Sequence, residues 1–139
     1  MSRARTAFFV ASASALALGL SGCSVIGAFT PHVDSAIYPS AKELKAASTA
    51  TFGSPSFIPD DAKLVRVDYD TKGAGAILTY ASAKHFAPGT CQAAAPIPKP
   101  TVLDSWWPID GLPASGFRCP GGWTAFLIGD QVYASVATT

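Results

Sequence analysis

The side chains that could carry out catalysis are few in this chain. It contains two histidines, His32 and His85, and a single glutamate, Glu43. A nucleophile system of the Ser-His-Asp type could be assembled from His85 and one of several serines. However, the sequence has no Gly-x-Ser-x-Gly elbow to support such a site. A small hydrolase centred on His85 is therefore a minor hypothesis, and the simpler interpretation is that His85 is a surface residue near a turn.

Aromatic side chains offer a better basis for ligand binding. Trp106 and Trp107 are adjacent, and in an extended segment successive side chains point to opposite sides. One of the two indoles could then be exposed, where it could stack on a sugar ring, hold a peptide or touch a bilayer interface. The favoured interpretation is that both pack beneath a disulfide-closed loop and enlarge a small core. Trp123, Phe117 and Tyr133 belong to the same group of aromatic candidates.

The sequence indicates no metal and no cofactor. Residues 68–73 begin with the spacing of an EF-hand loop, but its fifth position is Lys72 and its twelfth is Thr79, neither of which suits calcium. A strand end followed by a hairpin turn is the simpler interpretation. The glycine pair at residues 121–122 precedes a predicted strand and not a helix, so it lacks the N–H donors of a phosphate site.

The N-terminus has the layout of a secretory signal peptide. Arg3 and Arg5 supply a positive start, and residues 7–20 form an apolar run without charge. This run is shorter than the about 20 residues that a membrane-spanning helix needs, so residues 1–22 are assigned to a signal peptide. The motif Leu20-Ser21-Gly22-Cys23 ends the segment, and it resembles the lipobox of bacterial lipoproteins.

The lipobox resemblance implies a lipid anchor on Cys23. In that family the thiol receives a diacylglyceryl group, signal peptidase II cuts before it, and the new amino terminus can receive an acyl chain such as palmitate. Two or three acyl chains suffice for stable anchoring. With its later cysteine pair and its closing hairpin, the whole chain is similar to the small Ala-rich lipoproteins of actinobacteria, a resemblance that implies no catalytic residue. We expect a mature protein on the extracytoplasmic face of the cell membrane.

The remaining cysteines, Cys91 and Cys119, are expected to form one structural disulfide. Two cysteines in an exported domain favour a bridge, and they lie too far apart for a Cys-x-x-Cys redox motif. Zinc is not favoured, because neither has a second ligand at suitable spacing. By the chain-entropy relation this bridge contributes roughly 3–4 kcal/mol to the free energy of unfolding.

Length and charge exclude several classes of protein. The chain has 139 residues, enough for one domain, and only 14% of them are charged, against roughly 25% in ordinary globular proteins. Its formal net charge of +1 becomes −1 once Arg3 and Arg5 are removed with the signal peptide. Without a basic surface, a nucleic-acid binder is not expected.

Downstream of the signal peptide we predict two parts. Residues 23–56 form a tether, interrupted by prolines, with a short helix at about 41–50 that begins at a capping box of Ser40 and Glu43. Residues 57–139 form a compact domain. We therefore predict an α+β fold, in which two β-hairpins build a small antiparallel sheet of four or five strands with one or two short helices and one disulfide.

Hydrophobic periodicity locates the two hairpins. In residues 64–69 apolar side chains alternate with Arg66 and Asp68, the pattern of a half-buried strand, and a glycine-containing turn leads to a second strand at 76–81. The second hairpin joins 123–128 to 131–136 through Gly129 and Asp130, an order typical of a type II′ turn. Between the hairpins we predict a helical turn at 82–86, an extended proline connector at 92–100 and a loop at 111–122.

These observations favour a lipid-anchored protein of the cell envelope, a non-enzymatic binding or accessory module. Its expected partners are the membrane, through Cys23, and an envelope protein. The second hypothesis is a module that binds cell-wall glycan through Trp106 or Trp107.

Overall fold

An antiparallel sheet of seven strands organises the part of the chain that the computed structural model describes, residues 32–47 and 55–137. The strands are β1 (Val33–Ser40), β2 (Lys63–Asp70), β3 (Ala76–Ala81), β4 (Gln92–Ala95), β5 (Gly116–Arg118), β6 (Thr124–Ile128) and β7 (Gln131–Val136), and helix α1 is Ala41–Ala47. Their order across the sheet is β1-β2-β3-β7-β6-β5-β4. The predicted small antiparallel sheet is confirmed, although it has more strands than the four or five expected.

Both predicted hairpins are present. Strands β2 and β3 pair across the turn that precedes Gly75, whose carbonyl accepts a hydrogen bond from the Asp70 N–H at 2.8 Å. Strands β6 and β7 are joined by a two-residue turn, in which Gly129 has a φ of +61°. This left-handed conformation favours glycine and fits the first position of a type II′ turn. Pairing of β3 with β7 joins the hairpins into one sheet.

Two strands lie in segments that the sequence analysis assigned to irregular structure. β4 lies in the predicted proline connector and β5 in the predicted loop, and they pair with each other from Gln92 opposite Arg118. The disulfide between Cys91 and Cys119, confirmed here with Cα atoms 4.3 Å apart, stands at the start of this pair. The disulfide holds β4 and β5 side by side, so these two short segments can pair although their own strand preference is weak.

The prediction of a tether is wrong for the described residues 33–47. β1 pairs with β2 from Val33 opposite Asp70 to Ser40 opposite Lys63. As the outermost strand it leaves Ile37 65% exposed, which obscures the alternation that marks a half-buried strand. The predicted helix follows as α1, and one half of its capping box is confirmed, since the Ser40 hydroxyl accepts the Glu43 N–H at 3.4 Å. The Glu43 carboxylate accepts from the Ser40 hydroxyl at 3.0 Å and not from the Ser40 backbone N–H.

The predicted helical turn at 82–86 is formed only as a shorter turn. The His85 N–H donates to the Ser82 carbonyl at 3.4 Å, and the Ser82 hydroxyl accepts the Lys84 N–H at 3.1 Å. The turn ends at His85, whose φ of +58° is a left-handed conformation that interrupts a right-handed helical turn.

Both faces of the sheet are covered. On one face, α1 and the segments around Phe57 and Phe86 pack over a large core. On the other face a smaller core lies beneath residues 97–112, which we call the cover segment. The large core includes Leu44, Phe57, Ile58, Val65, Val67, Leu78, Tyr80, Trp123, Val132 and Ala134, and the small core consists of Ile77, Val102, Trp107 and Phe126.

The predicted signal peptide at residues 1–22 and the Cys23 anchor lie outside the described residues. Within the described residues, none of the helices has the length and apolarity needed to cross a bilayer.

Candidate functional site

The cover segment forms an apolar groove on the outer surface of the small core. The groove has a volume of about 450 Å³, within the size range of small-molecule sites. Nearly all of its lining side chains are hydrocarbon, and three of them are prolines, which hold the backbone in an extended form without free N–H donors. The lining residues are Ile97, Pro98, Lys99, Pro100, Leu103, Trp107, Pro108, Ile109 and Leu112.

Trp107 forms the floor of the groove and connects it to the sheet. Its side chain is only 5% exposed, and it meets Phe126 and Tyr133 edge to face, with ring centroids 5.5 and 6.0 Å apart. Its backbone N–H donates to the Asp104 carbonyl at 3.0 Å. Such edge-to-face contacts add to the area that the indole buries, so the floor is a fixed part of the small core.

The rim of the groove exposes large apolar side chains to solvent. Leu103, Ile109 and Leu112 are 52%, 78% and 42% exposed. Elsewhere in the described chain, the large apolar side chains that are similarly exposed are Ile37, Leu64 and Ile128, none of which lines the groove. A cluster of exposed apolar side chains around a concave site is typical of a binding surface.

A polar cluster fastens the cover segment to β2. Asp68 is fully buried, and its Oδ2 accepts a hydrogen bond from the Trp106 indole N–H at 2.7 Å. The Arg66 guanidinium lies over the Trp106 ring, 5.2 Å from its centroid, and donates to Asp104 Oδ2 at 2.9 Å. The cluster of Arg66, Asp68, Asp104 and Trp106 thus fixes the residues that lead into Trp107.

The electrostatics of this cluster favour an ionised Asp104. The pKa of the Asp104 carboxyl lies below its usual value, first because the neighbouring Asp68 carboxyl can act as a hydrogen-bond donor to it. Hydrogen bonds from the backbone and hydroxyl of Ser105 and the positive charge of Arg66 lower this pKa further. The Asp104–Arg66 contact therefore persists into mildly acidic solution and is lost as the pH falls through the lowered pKa.

The start of the cover segment packs closely on the turn between β2 and β3. A Cβ atom at Gly75 would collide with the hydroxyl oxygen of Thr101. A larger residue at this position would require the Thr101 side chain to rotate away, so the turn and the start of the cover segment are in close contact.

The two tryptophans that the sequence offers for ligand binding, Trp106 and Trp107, lie on one face of the sheet. Their rings touch with centroids 6.0 Å apart, because residues 105–107 form a turn and not the extended segment assumed in the sequence analysis. Trp106 is half-buried and engaged by Arg66 and Asp68, whereas Trp107 is buried beneath the groove. Neither indole presents a broad open face.

His85 lies elsewhere, in a second and more open cleft of about 470 Å³ that also contains Asp61, Ser82 and Asp130. The Ser82 hydroxyl donates to Asp61 at 2.9 Å, and within the described residues no side chain hydrogen-bonds to the His85 imidazole. The Tyr80 hydroxyl donates to the His85 carbonyl at 2.6 Å, and burial raises the pKa of Tyr80. Ser82 and His85 are therefore near neighbours that do not form a nucleophile–base pair.

The described residues contain no group of three His, Cys, Asp or Glu side chains arranged to hold a metal ion. Comparison of the chain with protein-family models, with curated proteins and with solved structures gives no match. The groove and the polar cluster that fastens it are thus the features from which function can be argued. The sequence indicates the tryptophans and the extended proline connector, but it gives no signal that Asp68 is buried or that Pro98 and Pro100 line a groove.

Proposed function

We propose that this chain is a lipid-anchored, non-enzymatic module of the cell envelope that binds an apolar ligand in the groove of the cover segment. The observation that carries the proposal is the groove itself, a concavity of about 450 Å³ with an apolar rim and a buried indole as its floor. Burial of apolar ligand surface against such a lining is favourable by about 25 cal/mol per Å².

The chemistry of the lining favours a hydrocarbon ligand over a sugar. A glycan site needs hydrogen-bond partners around an open aromatic face, because buried hydroxyl groups without partners are costly. Here the backbone of the three groove prolines donates no hydrogen bonds, and the Trp106 indole N–H is already bonded to Asp68. A hydrocarbon chain makes no demand for such partners, so the groove suits it better.

Binding to the groove is expected to depend on its rim. The full chain should raise the fluorescence of the uncharged apolar dye N-phenyl-1-naphthylamine, and Ile109→Asp should weaken dye binding by about tenfold, equivalent to roughly 1.4 kcal/mol. Ile109 is 78% exposed, so this change should leave the free energy of unfolding nearly unaltered.

Leu64→Asp is the matched control for the dye experiment. Leu64 is 68% exposed and does not line the groove, so its variant should bind the dye as the unaltered chain does. Equal loss of binding in both variants, or no binding by the unaltered chain, would contradict the proposed function.

Anchoring is expected to depend on Cys23. Expressed in an actinobacterial host, the unaltered chain should partition with the membrane fraction and carry acyl groups detectable by mass spectrometry. Cys23→Ala removes the thiol that the lipobox would present for acylation and should abolish both properties, since one apolar run of this length does not anchor a protein stably. Ser24→Ala is the control. A Cys23→Ala variant that stays in the membrane fraction would refute the lipid anchor.

A further inference from the structure

We infer that the ligand of the groove is a single-chain amphiphile with an anionic headgroup, a carboxylate or a phosphate, whose head pairs with Lys99. The inference rests on the proposed function, because it specifies the chemistry of the ligand for the same groove. It differs from that proposal in assigning a role to a charged residue, which can be tested by comparing anionic with uncharged ligands of the same chain length.

Lys99 is the charged residue of an otherwise apolar lining. It stands between Pro98 and Pro100, both of which line the groove with it, and it is exposed. Among the described residues it forms no ion pair and no side-chain hydrogen bond. Its two neighbouring prolines restrict the backbone at the groove, and the exposed side chain starts there without being used by the fold.

The acidic residues nearest in sequence do not compete for Lys99. Asp104 is paired with Arg66 at 2.9 Å, and Asp110 follows the rim residue Ile109 but does not line the groove. The groove therefore combines an apolar interior with one available positive charge at its edge. An anionic amphiphile complements this charge pattern. Its hydrocarbon chain would lie on the apolar lining, and its headgroup would lie in water beside Lys99.

The ordinary behaviour of an exposed ion pair sets the size of the effect. Such pairs contribute up to about 1 kcal/mol, which corresponds to a two- to fivefold change in the dissociation constant. The hydrocarbon chain should supply most of the affinity, up to about fourfold for each methylene buried.

The test is competition against N-phenyl-1-naphthylamine at about pH 8, where a fatty acid is ionised and lysine is protonated. The protein is the full chain with Cys23→Ala, so that no acyl group of its own competes. Dodecanoate and dodecyl phosphate should displace the dye at two- to fivefold lower concentration than dodecanol. Lys99→Gln should remove this preference, so that dodecanoate and dodecanol displace the dye at similar concentrations, and Lys84→Gln, at an exposed lysine outside the groove, should keep it.

The possible outcomes separate the inference from the function on which it rests. Equal displacement by dodecanoate and dodecanol, or a preference that survives Lys99→Gln, overturns the anionic headgroup but leaves an apolar groove. Failure of every ligand and of the dye overturns the proposed function as well. A third arm uses vesicles of anionic phospholipid: flotation of the protein with vesicles, without displacement of the dye by monomeric dodecanoate, would assign the surface to a bilayer and overturn the inference.

Discussion

Replacement of Cys91 and Cys119 together by serine is expected to lower the free energy of unfolding by about 3–4 kcal/mol. The two cysteines are 28 residues apart in sequence, and opening a loop of that length restores this much conformational entropy to the unfolded chain. For a domain of this size the loss is a large fraction of the total stability. Denaturant unfolding monitored by tryptophan fluorescence would measure it.

The disulfide should also matter for the groove. The cover segment, residues 97–112, lies entirely within the loop that the bridge closes, and β4 and β5 pair directly beside it. In the serine variant, dye binding should weaken more steeply with temperature than in the unaltered chain, because the segment unfolds more readily. Cys23→Ser provides the control, since its residue lies outside the bridge. A loss below about 1 kcal/mol would show that the native pairing stands without the bridge.

The sequence predicts the individual helices and hairpins better than it predicts which strands pair with each other in the sheet. The β6–β7 hairpin follows from two alternating runs around Gly129, and the start of α1 from the spacing of Ser40 and Glu43, because each signal is contained within a few residues. β1, β4 and β5 have weak strand preference of their own. Their pairing depends on a neighbour distant in sequence, as for Val33 opposite Asp70, and no local pattern encodes that contact.

The candidate site also depends on a contact between residues that are distant in sequence, which no local pattern predicts. Alternation in β2 correctly placed Arg66 and Asp68 on the polar side of the strand but implied a face open to water. Asp68 is instead fully buried, because the cover segment closes over that face. A carboxyl group is buried only where it has a hydrogen-bond partner. The partner of Asp68 is Trp106, 38 residues away in sequence, so the burial of Asp68 cannot be predicted from its own strand.

Loss of the Asp68 carboxyl should therefore be among the most damaging single changes in the chain. Asp68→Ala is expected to lower the free energy of unfolding by about 3 kcal/mol, because it leaves the partly buried Trp106 N–H without its acceptor and removes the carboxyl group that lies 4.0 Å from Arg66 Nε. Asp68→Asn keeps an oxygen that can accept the indole N–H, so it should cost only about 1 kcal/mol.

A double-mutant cycle with Trp106→Phe separates the hydrogen bond from general packing. If the 2.7 Å bond joins the cover segment to β2, the two single changes should be less than additive by about 0.5–1.5 kcal/mol, the net contribution of a typical hydrogen bond. The dye supplies a second measurement, since Trp107 follows directly and forms the groove floor. Asp68→Ala should weaken dye binding at temperatures where the sheet is still folded, whereas additive stability losses with unchanged dye binding would show that Asp68 does not position the groove.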